Sequence, residues 1–238
     1  MPTPRVLIIV PAYNESGSIA RVVGQIHYHL PAADVVVIDD GSADDTAHLA
    51  RAAGAIVLQM PYNVGIGAAM QTGFMYAAAN NYDIAVQADG DGQHPASEIS
   101  RLIDALQTTD ADVVIGSRFI EDRGYQQVPL RRLGGRLLSQ VLRAATGLTI
   151  TDPTSGFRAS GRRALSLCAT LYPHDYPEPE AIIIFQRAGL HITEIPVTMS
   201  QRTTGVSSIT PLRSAYYMTK VVLSILINLL RAPAVTQP

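Results

Sequence analysis

The sequence predicts an α/β fold built on one open, mostly parallel sheet with helices on both faces. Short apolar runs alternate along the chain with longer segments of helical pattern, which is typical of repeated βαβ units. The runs are continuously apolar, as in strands that are buried on both faces. Polar clusters, three of which contain glycine, follow four of the runs. In such sheets ligands bind beyond the carboxyl ends of the strands, so these clusters predict one site.

The individual elements follow from the apolar runs and from the residues that interrupt them. Ser16 or Ser18 is expected to cap the first helix, and Asp44 with Asp45 the second, because short polar side chains satisfy the first backbone N–H groups of a helix. The predicted strands are 5–10, 34–39, 55–58, 84–87, 113–115 and 192–199. The predicted helices are 18–30, 45–53, 65–80, 95–106, 130–145, 181–188 and 211–230.

Composition narrows the class of protein. The chain has 238 residues, of which 47% are hydrophobic, enough for a sizeable core. A net charge of -2 gives no reason to expect nucleic acid as a partner. Cys168 is the one cysteine, which fits a reducing compartment, and we expect it to be buried filler. We find neither a signal-peptide pattern nor an apolar stretch of about 18 residues, and therefore expect a soluble or peripheral protein.

Asp89 and Asp91 are the most informative residues. They flank Gly90 directly after the apolar run 84–87. Two carboxylates in such a turn can bind one Mg²⁺ or Mn²⁺ together with substrate phosphates, and the metal would stabilise a departing diphosphate. His94 has two interpretations, as a further metal or phosphate contact or as a residue that only leads into the next helix.

The clusters after the first two strands are candidates for binding a nucleoside. Asp39 and Asp40 can accept hydrogen bonds from a base or a ribose, as acidic residues do at strand ends in other nucleotide-binding folds. Tyr13 can pack on a base, and Glu15 can accept an N–H. The alternative for both clusters is that they only form turns.

The remaining glycines and arginines give weaker signals. Gly65 and Gly67 do not form a phosphate-binding fingerprint, and we interpret them as close-packing or turn positions. Arg118 and Arg202 are candidates for binding phosphate, because a guanidinium matches phosphate geometry.

Four motifs in order resemble glycosyltransferase family 2, and specifically its dolichol- and polyprenol-phosphate sugar synthases. The resemblance covers about residues 4 to 230. The motifs are Val10-Pro-Ala-Tyr-Asn-Glu15, Val37-Ile-Asp-Asp-Gly-Ser42, Asp89-Gly-Asp-Gly-Gln-His94 and Asp152-Pro-Thr-Ser-Gly-Phe-Arg158.

The resemblance implies a GT-A (Rossmann-like) fold and inverting, metal-dependent transfer from a UDP- or GDP-sugar, with UDP preferred. It implies that Asp89 and Asp91 hold the metal, and that Arg118 and Arg202 bind donor or acceptor phosphate. Glu180 matches an acidic residue near the acceptor, so Asp91, Arg118, Arg202 and Glu180 form the predicted catalytic set. The predicted nucleotide-sugar residues are Pro11, Ala12, Tyr13, Glu15, Asp39, Asp40, Gly65, Asp89 and Gly90.

One departure from the family pattern concerns Ser208, which stands where the family often has a lysine six residues after the arginine. The segment 172–180 is similar to a subgroup of bacterial members associated with small membrane partner proteins. We expect a glycosyltransferase domain at 1–210 and an apolar, amphipathic helix with a tail at 211–238. That helix would contact a membrane surface or another subunit.

The expected acceptor is a polyprenyl phosphate, which would need no strong general base because its oxygen is already anionic. The basic amphipathic segment 130–143 and the apolar segment 216–230 would then lie on the inner face of the plasma membrane, in a cytoplasmic, peripheral protein. Packing on the core or on a sister subunit is the alternative for both segments.

Two other functions stay open. Transfer to a glycan hydroxyl would require a base, for which Asp175, Glu178 and Glu180 are the candidates. A non-catalytic nucleotide-sugar-binding subunit of a membrane complex is the alternative from another class.

Overall fold

A computed structural model of the protein describes residues 3–121, 129–175, 177–200, 220, 221 and 223. The strands are β1 (Val6–Ala12), β2 (Asp34–Asp39), β3 (Ile56–Gln59), β4 (Ile84–Gln87), β5 (Val113–Ser117), β6 (Arg158–Gly161) and β7 (Ile192–Pro196). The helices are α1 (Ile19–His29), α2 (Thr46–Ala52), α3 (Ile66–Ala79), α4 (Ala96–Thr108), α5 (Pro129–Thr146), α6 (Arg162–Thr170) and α7 (Pro177–Arg187).

Within the described residues, one sheet of seven strands has the order β3-β2-β1-β4-β6-β5-β7. β1 pairs in parallel with β2 and β4, β2 with β3, and β5 with β7. β6 is antiparallel to both of its neighbours, β4 and β5. The segment that leads into β6 therefore reaches the same edge of the sheet as the carboxyl ends of β4 and β5. The predicted mostly parallel α/β fold is confirmed.

Two apolar layers cover the sheet. Side chains of α3, α5, α6 and α7 pack on one face, among them Phe74, Leu138 and Ile182. Side chains of α1 and α4 pack on the other, among them Ile26 and Leu102. Burial of apolar surface on both faces explains why the central strands are continuously apolar.

The structure corrects two details of the predicted elements. The element β6–α6 was not predicted. The residues next to the first two helices also bond differently from expectation. Ser18 precedes α1, but its side chain makes no capping bond within the described residues, because its hydroxyl faces the Gly90 carbonyl at 2.8 Å. At α2 the capping carboxylate is that of Asp44, which accepts from the Thr46 N–H at 3.0 Å, and not that of Asp45.

From residue 134 on, where the side chains of α5 are described, packing on the core explains the amphipathic character of the helix. Leu138 and Leu142 are fully buried, and Val141 packs against the same apolar layer. Arg136, Leu137 and Arg143 remain exposed on the other side of the helix. The core-packing alternative therefore holds for this part of α5.

The predicted C-terminal helix and the boundary at residue 210 lie outside the described residues, apart from 220, 221 and 223. Of these, Val221 is buried in the layer that also holds α5 and α7. None of the helices in the described ranges combines the length and apolar character needed to cross a membrane.

The start of α3 packs directly on backbone, as predicted for its glycines. Gly65 has φ +90° and precedes the helix. A Cβ on Gly67 would lie 2.3 Å from the carbonyl oxygens of both Pro173 and His174. Backbone atoms cannot move aside as a flexible side chain can. The close approach of α3 to the segment 172–175 therefore requires glycine at position 67.

We expect Gly67→Ala to lower the free energy of unfolding by about 1–3 kcal/mol, the usual range for overpacking. The clash outweighs the gain of up to ~1 kcal/mol that alanine gives in a helix. Gly24→Ala in α1 is the matched control, since no described atom outside the helix backbone lies within 4 Å of its Cβ position. That control should be neutral or stabilising. Urea unfolding of both variants measures the difference, and equal stability of the two would contradict the packing argument.

Candidate active site

The Asp-Gly-Asp turn follows β4 at the centre of the sheet. Asp91 is largely buried, and its Oδ1 accepts from the Gln93 N–H at 2.9 Å. A Cβ on Gly90 would lie 3.0 Å from the Pro11 carbonyl oxygen and 3.4 Å from Ala12. The turn therefore rests against the end of β1. Three of the predicted nucleotide-sugar residues, Pro11, Ala12 and Gly90, thus lie together beside the two carboxylates.

His94 lies against Asp89, and both nitrogen atoms of its ring approach that residue. Its Nδ1 accepts from the Asp89 N–H at 3.0 Å, and its Nε2 lies 3.5 Å from the Asp89 carboxylate. The ring stacks on Phe157 at 4.6 Å between centroids. Burial lowers the pKa of His94 to about 4, while the nearby charge of Asp91 opposes the shift. The ring is therefore neutral at neutral pH, with its proton on Nε2. His94 precedes Pro95 and α4, as one of the two interpretations expected, and a contact to a metal or a phosphate stays a prediction.

A second set of contacts joins the turn to the loop after β1. The Ser18 hydroxyl lies 2.8 Å from the Gly90 carbonyl and 2.9 Å from the Glu15 carboxylate. The Glu15 N–H donates to Thr46 Oγ1 at 2.8 Å. Tyr13, in the same loop, is half exposed. The loop thus has a fixed backbone and an accessible aromatic ring, which suits stacking on a base.

Asp39 and Asp40 are both buried at the end of β2. The Asp39 carboxylate accepts from the Ser42 N–H and the Gln59 side-chain amide. The Asp40 carboxylate accepts from the Val64 and Gly65 N–H groups at 2.7 and 3.0 Å. Both carboxylates therefore fix the loops at this edge. Their predicted contact with a nucleoside stays a prediction, and it would have to use their remaining lone pairs.

Arg118, directly after β5, forms a two-point ion pair with Asp152. The Arg118 Nε and Nη2 atoms each lie 2.7 Å from a carboxylate oxygen of the fully buried Asp152. The backbone N–H groups of Thr151 and Asp152 donate in turn to Glu194 on β7. Burial raises the pKa of Glu194, and these two donors oppose that shift. Arg118 thus fixes the loop before β6 while bringing positive charge to the site.

The remaining predicted residues lie on α7 or beyond it. Glu180 is half-buried in the first turn of α7, and its catalytic role stays a prediction. Arg202 and Ser208 lie outside the described residues. Glu178, which was considered only as a candidate base, lies in the same first turn of α7. Burial raises the pKa of Glu178, and the positive charge of Arg158 opposes that shift.

The side chains around the Asp-Gly-Asp turn can be compared with the ligands that a divalent metal requires. In the described residues, no group of three or more His, Cys, Asp or Glu side chains is placed to hold a metal ion. The protein would thus supply the carboxylates of Asp89 and Asp91. Mg²⁺ fits such a site, because it keeps several waters and binds through one or two carboxylates plus substrate phosphates. The residues present therefore fit a metal that binds together with a diphosphate.

An open α/β sheet with an Asp-Gly-Asp turn at its strand ends agrees with the class of glycosyltransferases that the sequence motifs predict. Residues 7–167 match the family described as Glycosyl transferase family 2. The chain belongs to this family and is a glycosyltransferase.

Two curated relatives and one solved structure extend the comparison. The polyprenol monophosphomannose synthase of Mycolicibacterium smegmatis is 33% identical over 87% of this chain and 81% of its own. The undecaprenyl-phosphate mannosyltransferase of Micrococcus luteus is 34% identical over 85% of this chain and 86% of its own. The predicted resemblance to polyprenol-phosphate sugar synthases is confirmed.

The solved structure is the glucosyl-3-phosphoglycerate synthase of Mycobacterium tuberculosis with Mn²⁺, UDP and phosphoglyceric acid. It is similar with a TM-score of 0.73 and 25% identity, over 97% of this chain and 80% of that one.

Proposed function

We propose that the chain transfers a sugar from a nucleotide-sugar to a polyprenyl phosphate, with inversion at the sugar carbon and with Mg²⁺ or Mn²⁺. The observation behind the proposal is the Asp89–Asp91 turn, which contacts His94 and lies against the end of β1, directly before the half-exposed Tyr13. The acceptor class follows from two relatives named for polyprenol and undecaprenyl phosphate. UDP is our preferred donor nucleotide and GDP the alternative, because a related structure holds UDP with Mn²⁺.

The reaction has simple requirements of the protein. An oxygen of the acceptor phosphate forms a bond to the sugar carbon on the face opposite the diphosphate. The bond between that carbon and the diphosphate breaks, and its electron pair leaves with the nucleoside diphosphate. The second pKa of a phosphate monoester is about 6, so the attacking oxygen is already anionic at neutral pH. The residues of the site therefore position two anions rather than remove a proton.

Charge is the main obstacle, because donor and acceptor are both negative. Asp89 and Asp91 would hold the metal, which when bound neutralises the diphosphate and stabilises it as it leaves. Arg118 brings a positive charge to the same region. It pairs with Asp152 and acts electrostatically on His94. Within the proposal, Arg118 attracts the acceptor phosphate, and Arg202 is expected to assist it.

The proposed location is the cytoplasmic face of the plasma membrane, where the acceptor lipid would lie. Arg136 and Arg143 are exposed on α5, with Leu137 exposed between them. Basic and apolar side chains together suit an anionic membrane surface. A small membrane partner protein remains part of the proposal through the resemblance of segment 172–180, and a homo-oligomer remains part of it as the alternative contact of the amphipathic helices.

A labelled-sugar assay tests the function. Purified protein receives a panel of radiolabelled UDP- and GDP-sugars, Mn²⁺ or Mg²⁺, and either polyprenyl phosphate or the same polyprenol without phosphate. We expect label in the lipid fraction with one donor, only with the phosphorylated lipid, and abolished by EDTA. Label that appears only on an added glycan, with membranes supplying any partner, would refute the lipid-phosphate acceptor and favour transfer to a hydroxyl.

A further inference from the structure

Hydrogen bonds join the loop after β1 to the loop after β2. The Asn14 N–H donates to Ser42 Oγ at 2.9 Å, and the Ala43 N–H donates to Asn14 Oδ1, also at 2.9 Å. Asn14 is therefore both a donor and an acceptor towards the second loop. It directly follows Tyr13, whose half-exposed ring is expected to stack on a base. The contacts of Asn14 thus help to determine where that ring lies.

Asn14 has a backbone conformation that few residue types adopt. Its φ is +54°, in the left-handed region, where glycine, asparagine and aspartate are the usual residues. The Ala43 N–H also requires a short side chain with an oxygen that can accept its hydrogen bond. Asparagine satisfies both conditions at position 14, the positive φ and the acceptor, whereas glycine would satisfy only the first.

The loop after β2 is the better anchored of the two loops. A Cβ on Gly41 would lie 2.6 Å from the Tyr62 carbonyl carbon and 2.7 Å from the Asn63 nitrogen, so this loop packs directly on backbone. The buried Asp40 carboxylate holds it as well, through two backbone N–H groups before α3. Asn14 therefore ties the more exposed loop after β1 to a well-packed support.

Ser42 extends these contacts to Asp39. Its N–H donates to Asp39 Oδ1 at 3.2 Å, while its Oγ accepts from the Asn14 N–H. Tyr13, Asn14, Ser42 and Asp39 thus form one continuous set of contacts along the chain and across the two loops. The two ends of this set are the aromatic ring and the carboxylate that are both expected to bind the nucleoside.

We propose that Asn14 is a positioning residue for the donor nucleoside, which it serves by holding the Tyr13 loop against the loop that carries Asp39. The proposal rests on the nucleotide-sugar site of the proposed function. A base that stacks on Tyr13 binds well only if the loop is already in place. When only a fraction of the molecules has the loop in place, the apparent affinity falls by that fraction. The hydrogen bonds and the left-handed conformation of Asn14 keep that fraction high.

Nucleotide binding without metal tests the proposal. Calorimetry on the full chain in EDTA compares UDP with GDP, and the nucleotide that the unmodified chain binds more tightly serves as the probe. We expect Asn14→Ala to bind it about tenfold more weakly, as when the loop is in place in about a tenth of the molecules. In sugar transfer the same variant should raise the KM for the donor and leave kcat unchanged, which is the mark of lost ground-state binding.

Asn14→Asp should restore most of the affinity. Aspartate tolerates a positive φ, and its carboxylate can accept from the Ala43 N–H as Asn14 Oδ1 does. The comparison is made at high salt, because salt screens the added charge at this exposed position. An Asn14→Asp variant as weak as Asn14→Ala would contradict the part assigned to these contacts.

Asn81→Ala is the matched control. Asn81 is also an exposed asparagine with a positive φ, of +56°, but it precedes β4 and so lies at the amino ends of the central strands, away from the site. This variant should bind the nucleotide like the unmodified chain. Unchanged affinity in Asn14→Ala, or an equal loss in Asn81→Ala, would overturn the role of Asn14 alone. An unmodified chain that binds neither UDP nor GDP would overturn the nucleotide-sugar site, and the positioning role with it.

Discussion

Asp91→Asn is expected to reduce kcat by at least ~10³-fold, equivalent to about 4 kcal/mol of transition-state stabilisation. The variant removes one of only two carboxylates at the turn. It should still fold, because the asparagine oxygen can accept from the Gln93 N–H as Asp91 Oδ1 does at 2.9 Å. The loss therefore falls on the chemistry and not on the turn itself. Sugar transfer at saturating donor, over a range of Mn²⁺ concentrations, measures it.

The control for this variant is Asp104→Asn, which makes the same chemical change on the exposed side of α4. It should keep full activity. Retention of more than about a tenth of the activity by Asp91→Asn, against the ~10³-fold loss expected of a metal carboxylate, would show that this side chain does not hold the metal.

Asp152→Asn is expected to have the largest effect on stability, lowering the free energy of unfolding by about 3 kcal/mol. Asp152 is fully buried, and its two oxygens meet the Nε and Nη2 atoms of Arg118 at 2.7 Å. An asparagine places N–H groups against the guanidinium and removes the counter-charge of the partly buried Arg118. Urea unfolding at neutral pH checks the value.

A double-variant cycle separates the ion pair from other effects of the substitution. Replacing Arg118 by leucine in the Asp152→Asn background removes the uncompensated charge. The double variant should therefore lose less stability than the two single variants added together. Strict additivity would contradict a direct coupling. Glu98→Gln, which breaks the more exposed pair with Arg101, should cost less than about 1 kcal/mol.

The apolar strands could be predicted because strands that are buried on both faces appear in the sequence as continuous apolar runs. β4 was predicted with its observed bounds, and the polar clusters after β1, β2, β4 and β5 indeed meet at one edge. β6 could not be found in this way. Its sequence Arg-Ala-Ser-Gly has no apolar run, and it becomes a strand because β4 and β5 offer it hydrogen bonds on both sides.

The residue types of the site could be predicted from the sequence, whereas most contacts between these residues could not. Asp89 and Asp91 stand out through their spacing and their place after a strand. The partner of Arg118 lies 34 residues away, and the stacking of His94 on Phe157 joins residues of two different loops. Such pairings are set by the topology of the sheet.

The position of β6 also determines the order in which the strands of the sheet can pair during synthesis. β4 leaves the ribosome with only β1 beside it, and β5 emerges with no neighbour in the sheet, because β6 joins the two. Until about residue 161 has been made, the nascent chain thus exposes an unpaired strand edge at β4, whose four residues are all buried in the finished sheet. Such edges are prone to pairing with other chains. Chaperones that hold the nascent chain should therefore matter most while residues 88–161 are translated.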